Sequence, residues 1–320
     1  FGDKILFSAY TPSLGFELWA TNGTQAGTQL VRDISVGTSG SIPAGLTVFD
    51  GRAYFAASEA TYGRELWVTD GTDVGTVLAA DVYNGVPSSS PNNFIAIGQK
   101  LYFTATHPTY GTELWYWKAS PVKAPSNYQL LKDIYSGTSS SNVTEITQLG
   151  DDIYFRATDG TYGAELWKSD GTEAGTVLVA DINPGATSSY PYELFAFNGK
   201  MYMQANSNSD EFGYELWVSD GTSEGTKMLK DIYPGSSPSA PMMMNYLNNK
   251  LFFSANGSDD RELWSTDGTE ANTVLFKNIA VNQGANIVSI YAVSDNAMLF
   301  SANDNDNNQD RKSTRLNSSH

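Results

Sequence analysis

A chain of 320 residues with 19 Lys plus Arg against 35 Asp plus Glu has a formal charge of −16, so it offers no basic surface for a phosphate backbone and excludes a nucleic-acid partner. With no cysteine and two histidines, a disulfide framework, a thiolate metal site and a Cys nucleophile are excluded, and general bases are scarce. Aromatics at 12% and 29 glycines mark a β-rich, turn-rich chain, and no apolar run approaches the ~20 residues of a membrane helix.

The chain opens on an incomplete unit. Residues 1–3 read as the end of a first strand and residues 4–9 as a second, and the first Glu-Leu-Trp follows at 17–19. That tripeptide recurs with its tryptophan at Trp19, Trp67, Trp115, Trp167, Trp217 and Trp264, at spacings of 48, 48, 52, 50 and 47. An apolar strand position precedes each copy at Phe7, Phe55, Phe103, Phe155, Met203 and Phe253, with a seventh at Phe300. An aspartate closes the fourth strand of each unit at Asp33, Asp81, Asp133, Asp181 and Asp231, replaced by Asn278 in the sixth.

Each complete unit predicts four short strands. In the fifth they begin with Glu193–Phe197, turn at Asn198-Gly199, where both residues tolerate positive φ, and return through Lys200–Ala205. The third strand carries Glu-Leu-Trp and stops at Asp-Gly-Thr, where the aspartate can bond its own backbone. A fourth strand ends at the closing aspartate and runs into a Gly/Ser/Pro loop. Leu66-Trp67-Val68 is apolar on both alternating faces, which suits a sheet covered on both sides. Four antiparallel strands per unit of about 49 residues, without helical periodicity, predict an all-β fold, a β-propeller of four-stranded blades, rather than a stacked solenoid.

The strings ELWVTDGTDVGTVLAADV at 65–82, ELWKSDGTEAGTVLVADI at 165–182 and ELWVSDGTSEGTKMLKDI at 215–232 resemble the ELWxxDGT repeat family of bacterial secreted or cell-surface proteins. The resemblance covers nearly all of residues 1–309 and implies a surface propeller. It brings no activity and no catalytic residues with it.

Toward the C-terminus, residues 287–293 and 297–302 supply a first and a second strand of a seventh unit, and the repeat then stops. The expected organisation is a repeat domain over 1–309, incomplete at both ends, from an intact protein of seven or more blades. The last eleven residues, DRKSTRLNSSH at 310–320, resemble the translation of a sequencing adapter and are left out of the predicted fold.

A residue needed once for chemistry is not expected in every blade. Glu17, Glu65, Glu113, Glu165, Glu215 and Glu262 are therefore assigned to tying blades together, the six tryptophans to packing, and the closing aspartates to turn amides. The loops after the second and fourth strands share one face, which collects the variable sequence. Its ligand-binding candidates are Tyr62, Tyr110, Tyr162 and Phe212 of the aromatic-Gly loops, His107, and the acidic insertion Asp210-Glu211. The opposite face departs from the repeat at Lys118–Tyr128, where a Pro-containing loop replaces Asp-Gly-Thr. Asp304, Asp306 and Asn308 have the alternate spacing of calcium ligands, but Gln309 stands where a calcium loop needs glycine. No other cofactor is expected.

Three functions fit these features. The first is a secreted or cell-surface binding and adhesion scaffold without catalysis, with a glycan or surface-protein partner on the long-loop face. The second is a carbohydrate-active hydrolase or lyase on a propeller, for which the non-repeated acids Asp159, Asp210, Glu211, Asp259 and Asp260 would be available. The third is a structural repeat array within a larger surface protein.

Overall fold

A computed structural model describes residues 1–119, 127–207, 211–257, 260–279, 287, 289–294, 297–302 and 312–317. Among these the protein is all-β, with five four-stranded and two three-stranded antiparallel sheets, each in simple up-and-down order. Two compact units, Phe1–Thr144 and Glu145–His320, divide the chain. The strands of the second blade, Ala44–Phe49, Arg52–Glu59, Gly63–Thr69 and Val77–Ala80, set the pattern for the rest.

Within a blade the repeated apolar positions face one another. Phe55 pairs with Trp67, Phe155 with Trp167 and Met203 with Trp217, and a bulge at the Leu-Trp step shifts the register of the fourth strand. The leucine and the tryptophan point to opposite faces. In the first unit Leu18 of the first blade therefore packs with Phe55 and Trp67 of the second. In the second unit Leu166 meets Met203 and Trp217, and Leu216 meets Phe253 and Trp264. The second, fifth and sixth sheets are thus covered on both faces, as the two-sided apolar strands require.

The hairpin end of the first, second, fourth, fifth and sixth blades is closed by a self-contained turn. In the fourth blade the Thr172 amide and hydroxyl both donate to Asp170 Oδ1, at 2.9 and 2.6 Å, and the Gly175 amide donates to Thr172 Oγ1 at 3.0 Å. The Thr176 hydroxyl in turn donates to the Thr172 carbonyl at 2.6 Å. Gly175 has room only for hydrogen, since a Cβ there would lie 2.1 Å from Asp170 Oδ1. The sixth blade has Asn272 instead, whose Nδ2 donates to Asp267 Oδ2 at 2.7 Å. Gly175→Ala should therefore cost about 1–3 kcal/mol in a urea melt, by forcing the carboxylate off its threonine, and Gly175→Asn clearly less.

The third blade lacks this turn, and Trp117 stands near its place. Its ring lies 5.6 Å from that of Tyr54 in the second blade. The equivalent tyrosines in the second unit, Tyr154 and Tyr202, crowd the turn glycines of the following blades, where a Cβ on Gly221 or Gly268 would sit 2.2 or 2.5 Å from the hydroxyl. The one tryptophan outside Glu-Leu-Trp thus covers a tyrosine that elsewhere is covered by Asp-Gly-Thr.

The first sheet has three strands, Ile5–Thr11, Gly15–Thr21 and Gln29–Arg32. The last sheet pairs Ser289–Ser294 with Ala297–Ala302, and the latter with Lys312–Asn317. The tail left out of the predicted fold thus contributes a strand. An unpaired sheet edge accepts extended backbone through its amides and carbonyls, whatever the side chains.

Candidate functional site

The long-loop end of each blade is organised by the repeated glutamate. Glu165 is fully buried and accepts from the Ile182 amide at 3.0 Å, the Ser189 amide at 2.7 Å and the Ser189 hydroxyl. Glu17, Glu65 and Glu215 bind Ser41, Ser89 and Ser239 in the same way, and Glu113 accepts from the Ser141 amide. Burial pushes the carboxyls of Glu65, Glu113, Glu165 and Glu215 up to about 7, against the pull of these donors. In the second, third and fourth blades the closing aspartate, Asp81, Asp133 or Asp181, accepts from the glycine amide four residues on.

The clamped serine also joins one blade to the next. The Ser189 carbonyl accepts from the Asn206 amide at 3.0 Å, and the Tyr190 amide donates to the Ala164 carbonyl at 3.1 Å. Residues just after the serines, Ile42, Ser90, Asn142, Tyr190 and Ala240, all adopt φ between 43° and 52°. None is glycine, so the surrounding bonds hold a conformation that the side chains disfavour.

The aromatic-Gly loops lie against these serine loops. A Cβ on Gly63 or Gly111 would fall 2.4 or 2.1 Å from a carbonyl of the facing loop, which accounts for the glycine after Tyr62 and Tyr110. Tyr62 and Tyr162 are 37% and 40% exposed, and Phe212 is half-buried. The amides of Thr161 and Tyr162 use Asp159 as their turn acceptor. The His107 ring stacks on Tyr110 at 4.9 Å, burial lowers its pKa, and its Nδ1 accepts from the Thr109 amide at 3.2 Å. Glu211 is exposed, while Asp210, Asp259 and the calcium candidates Asp304, Asp306 and Asn308 lie outside the described residues.

The second unit brings together a group that the repeat does not contain. In blades two, three, five and six the first strand bulges at a left-handed residue, Gly45, Asn93, Glu193 or Met243, and Glu145 is left-handed at the matching place in blade four. There Glu145 Oε2 accepts from the Glu193 amide at 2.9 Å, and Glu193 Oε2 from the Met243 amide at 2.8 Å. Arg156 occupies a position held by Ser8, Ala56, Thr104, Gln204 and Ser254 in other blades, and donates to the Pro191 carbonyl at 3.4 Å. Burial pushes Glu145 up, while the Glu193 amide and the Arg156 guanidinium pull it down. Tyr214 is raised by burial and next by Tyr190. Tyr190 and Tyr192 are 51% and 43% exposed. Asn206 is 7% exposed, and its Oδ1 has no partner. Sequence reasoning missed this cluster. Its one signal was an arginine at a position otherwise small or uncharged.

These blades are those of a β-propeller. No family model and no curated protein matches the chain. Solved structures do. Prolyl oligopeptidase B from Galerina marginata has a TM-score of 0.55 at 10% identity, covering 94% of this chain and 45% of its own. A prolyl endopeptidase gives 0.55 at 11%, with the same coverage. A Mycobacterium tuberculosis puromycin-hydrolyzing peptidase gives 0.53 at 10%, covering 100% of this chain and 51% of its own. The chain spans about half the length of the solved proteins it matches. The expectation of a non-catalytic adhesion scaffold is corrected by these matches, since the propellers in question belong to hydrolases. Composition and repeat spacing report a blade core, and so could not separate one kind of propeller from another. No helix among the described residues is long and apolar enough to cross a membrane.

Proposed function

We propose that this chain is the propeller portion of a peptidase-type hydrolase, holding or admitting peptide substrate while a separate catalytic portion supplies the nucleophile. The observation that carries this reading is the near-complete overlap of the chain with about half of each matched peptidase. The placement of His107 agrees with it. Its Nδ1 is taken by a backbone amide and its ring is stacked on Tyr110, so it is not arranged as the base of a serine nucleophile. The carbohydrate-directed alternative keeps the idea of a hydrolase propeller, but the matched proteins shift the substrate class to peptides. The ELWxxDGT resemblance supports a secreted or cell-surface setting.

Proline-containing peptides of graded length, titrated against the chain by calorimetry, should bind without being cleaved. Binding of glycans with no binding of peptides, or turnover of a polysaccharide by this chain, would overturn the reading.

A further inference from the structure

We infer that the outer edge of the last sheet is a docking slot for a Glu-Leu-Trp strand supplied by another chain, and that Lys312–Asn317 holds the place of that strand.

The seventh unit carries the receiving half of a pairing that the other six complete. In each of those six blades the glutamate of Glu-Leu-Trp pairs with an alanine, and the tryptophan pairs with the Phe or Met two residues before that alanine. Phe300-Ser301-Ala302 keeps this receiving pattern. Its partners, however, are Thr314 and Lys312. An open strand edge pairs through its backbone with any extended sequence, so the ladder alone does not select those residues.

The sixth blade shows what the slot lacks. Within the second unit, Val179 of the fourth blade is 5% exposed and clusters with Trp217 of the fifth, and Leu229 of the fifth is 6% exposed and packs with Trp264 of the sixth. Phe276 has the same place in the sixth blade, one residue after the partner of Trp264. It is 40% exposed, with Leu275 at 43% and Val274 at 46% beside it. No tryptophan follows Trp264 in the chain. The last sheet covers the sixth where Leu263 packs with Ile290, Met298 and Phe300, and it stops short of Phe276. The established blade-to-blade contact is therefore finished around Phe300 and open where a third-strand tryptophan would lie. A buried indole removes on the order of 200 Å² from water, which favours such a strand over one held by backbone pairing alone.

The test is fluorescence anisotropy of a dye-labelled peptide with the sequence of residues 215–232, ELWVSDGTSEGTKMLKDI, titrated with the full chain. It should bind, and its Trp217→Ala version at least about tenfold more weakly. Phe276→Ala in the chain should weaken the parent peptide at least about fivefold with little change in Tm, since that ring is already exposed. Thr314→Pro takes a ladder bond from the strand that holds the place and should tighten the peptide, a result that docking elsewhere would not produce. A peptide that binds no better than its Trp217→Ala version, or binding that neither Phe276→Ala nor Thr314→Pro alters, would overturn the assignment. So would a chain that self-associates as its concentration rises while leaving the peptide free, because a second copy would then occupy the face.

Discussion

Replacing Glu165 by alanine should cost the fold about 3–5 kcal/mol at pH 7, read as a lower urea midpoint at unchanged m. The reason is the set of donors left behind. The amides of Ile182 and Ser189 and the Ser189 hydroxyl all point at one carboxyl, and Ser189 is fully buried, so water cannot replace it. Each abandoned donor costs on the order of 1–3 kcal/mol. Glu165→Gln retains one acceptor oxygen and should lose about half as much. Ser189→Ala removes one donor and leaves the amide bonds, so its cost should be about 1–2 kcal/mol. An alanine variant melting with the parent would show that the clamp contributes nothing.

Stability should fall as the pH is raised from about 5 to 8. The carboxyls of Glu65, Glu113, Glu165 and Glu215 stand at about 7 in the folded chain, against 4.5 for an ordinary glutamate. Between those values the folded state keeps protons that the unfolded state releases. Rising pH therefore favours unfolding through this window and has no further effect above it. Each site contributes on the order of 3 kcal/mol across the window. At the acid end the sign reverses. Asp70, Asp220 and Asp267 are held below the ordinary carboxylate range, chiefly by the threonine hydroxyl two residues on, and their contribution is lost as the pH falls below about 4. Urea midpoints at pH 5 and pH 8 check the sign, and Glu165→Gln should flatten the slope. A midpoint that climbs over the same interval would falsify this account.

The blade was legible because its chemistry is written in residue types that recur. Glu-Leu-Trp, Asp-Gly-Thr and the apolar partner at Phe55 or Phe155 give strand order and two-sided burial directly, since period-two alternation and turn residues are local signals. The glutamate's partner was harder to see. Ser189 lies 24 residues from Glu165, within a Gly/Ser/Pro run where any of several serines would look alike. The left-handed residue after that serine left no trace, because Ile42, Ser90, Asn142, Tyr190 and Ala240 share no property. Their backbone is set by bonds from elsewhere.

The candidate site was illegible for a related reason. Glu145 and Glu193 occupy a left-handed position that is Gly45, Asn93 or Met243 in other blades, and what unites it is a backbone angle. Their meeting with Arg156, Tyr190 and Tyr214 depends on how successive blades pack within the second unit. By contrast, the aromatic-Gly loops drew attention through repetition, and the glycines there answer to close backbone approach.

The serine loop sets where one module ends and the next begins. Counted by sequence, a repeat seems to finish at its closing aspartate. Counted by hydrogen bonds, the glutamate of one blade reaches past that aspartate to a serine whose carbonyl then holds the following blade. A recombination or splice point between Asp181 and Ser189 would separate Glu165 from its serine, whereas one after Pro191 keeps the clamp whole. Copies of this repeat can be gained or shuffled cheaply only along the second seam.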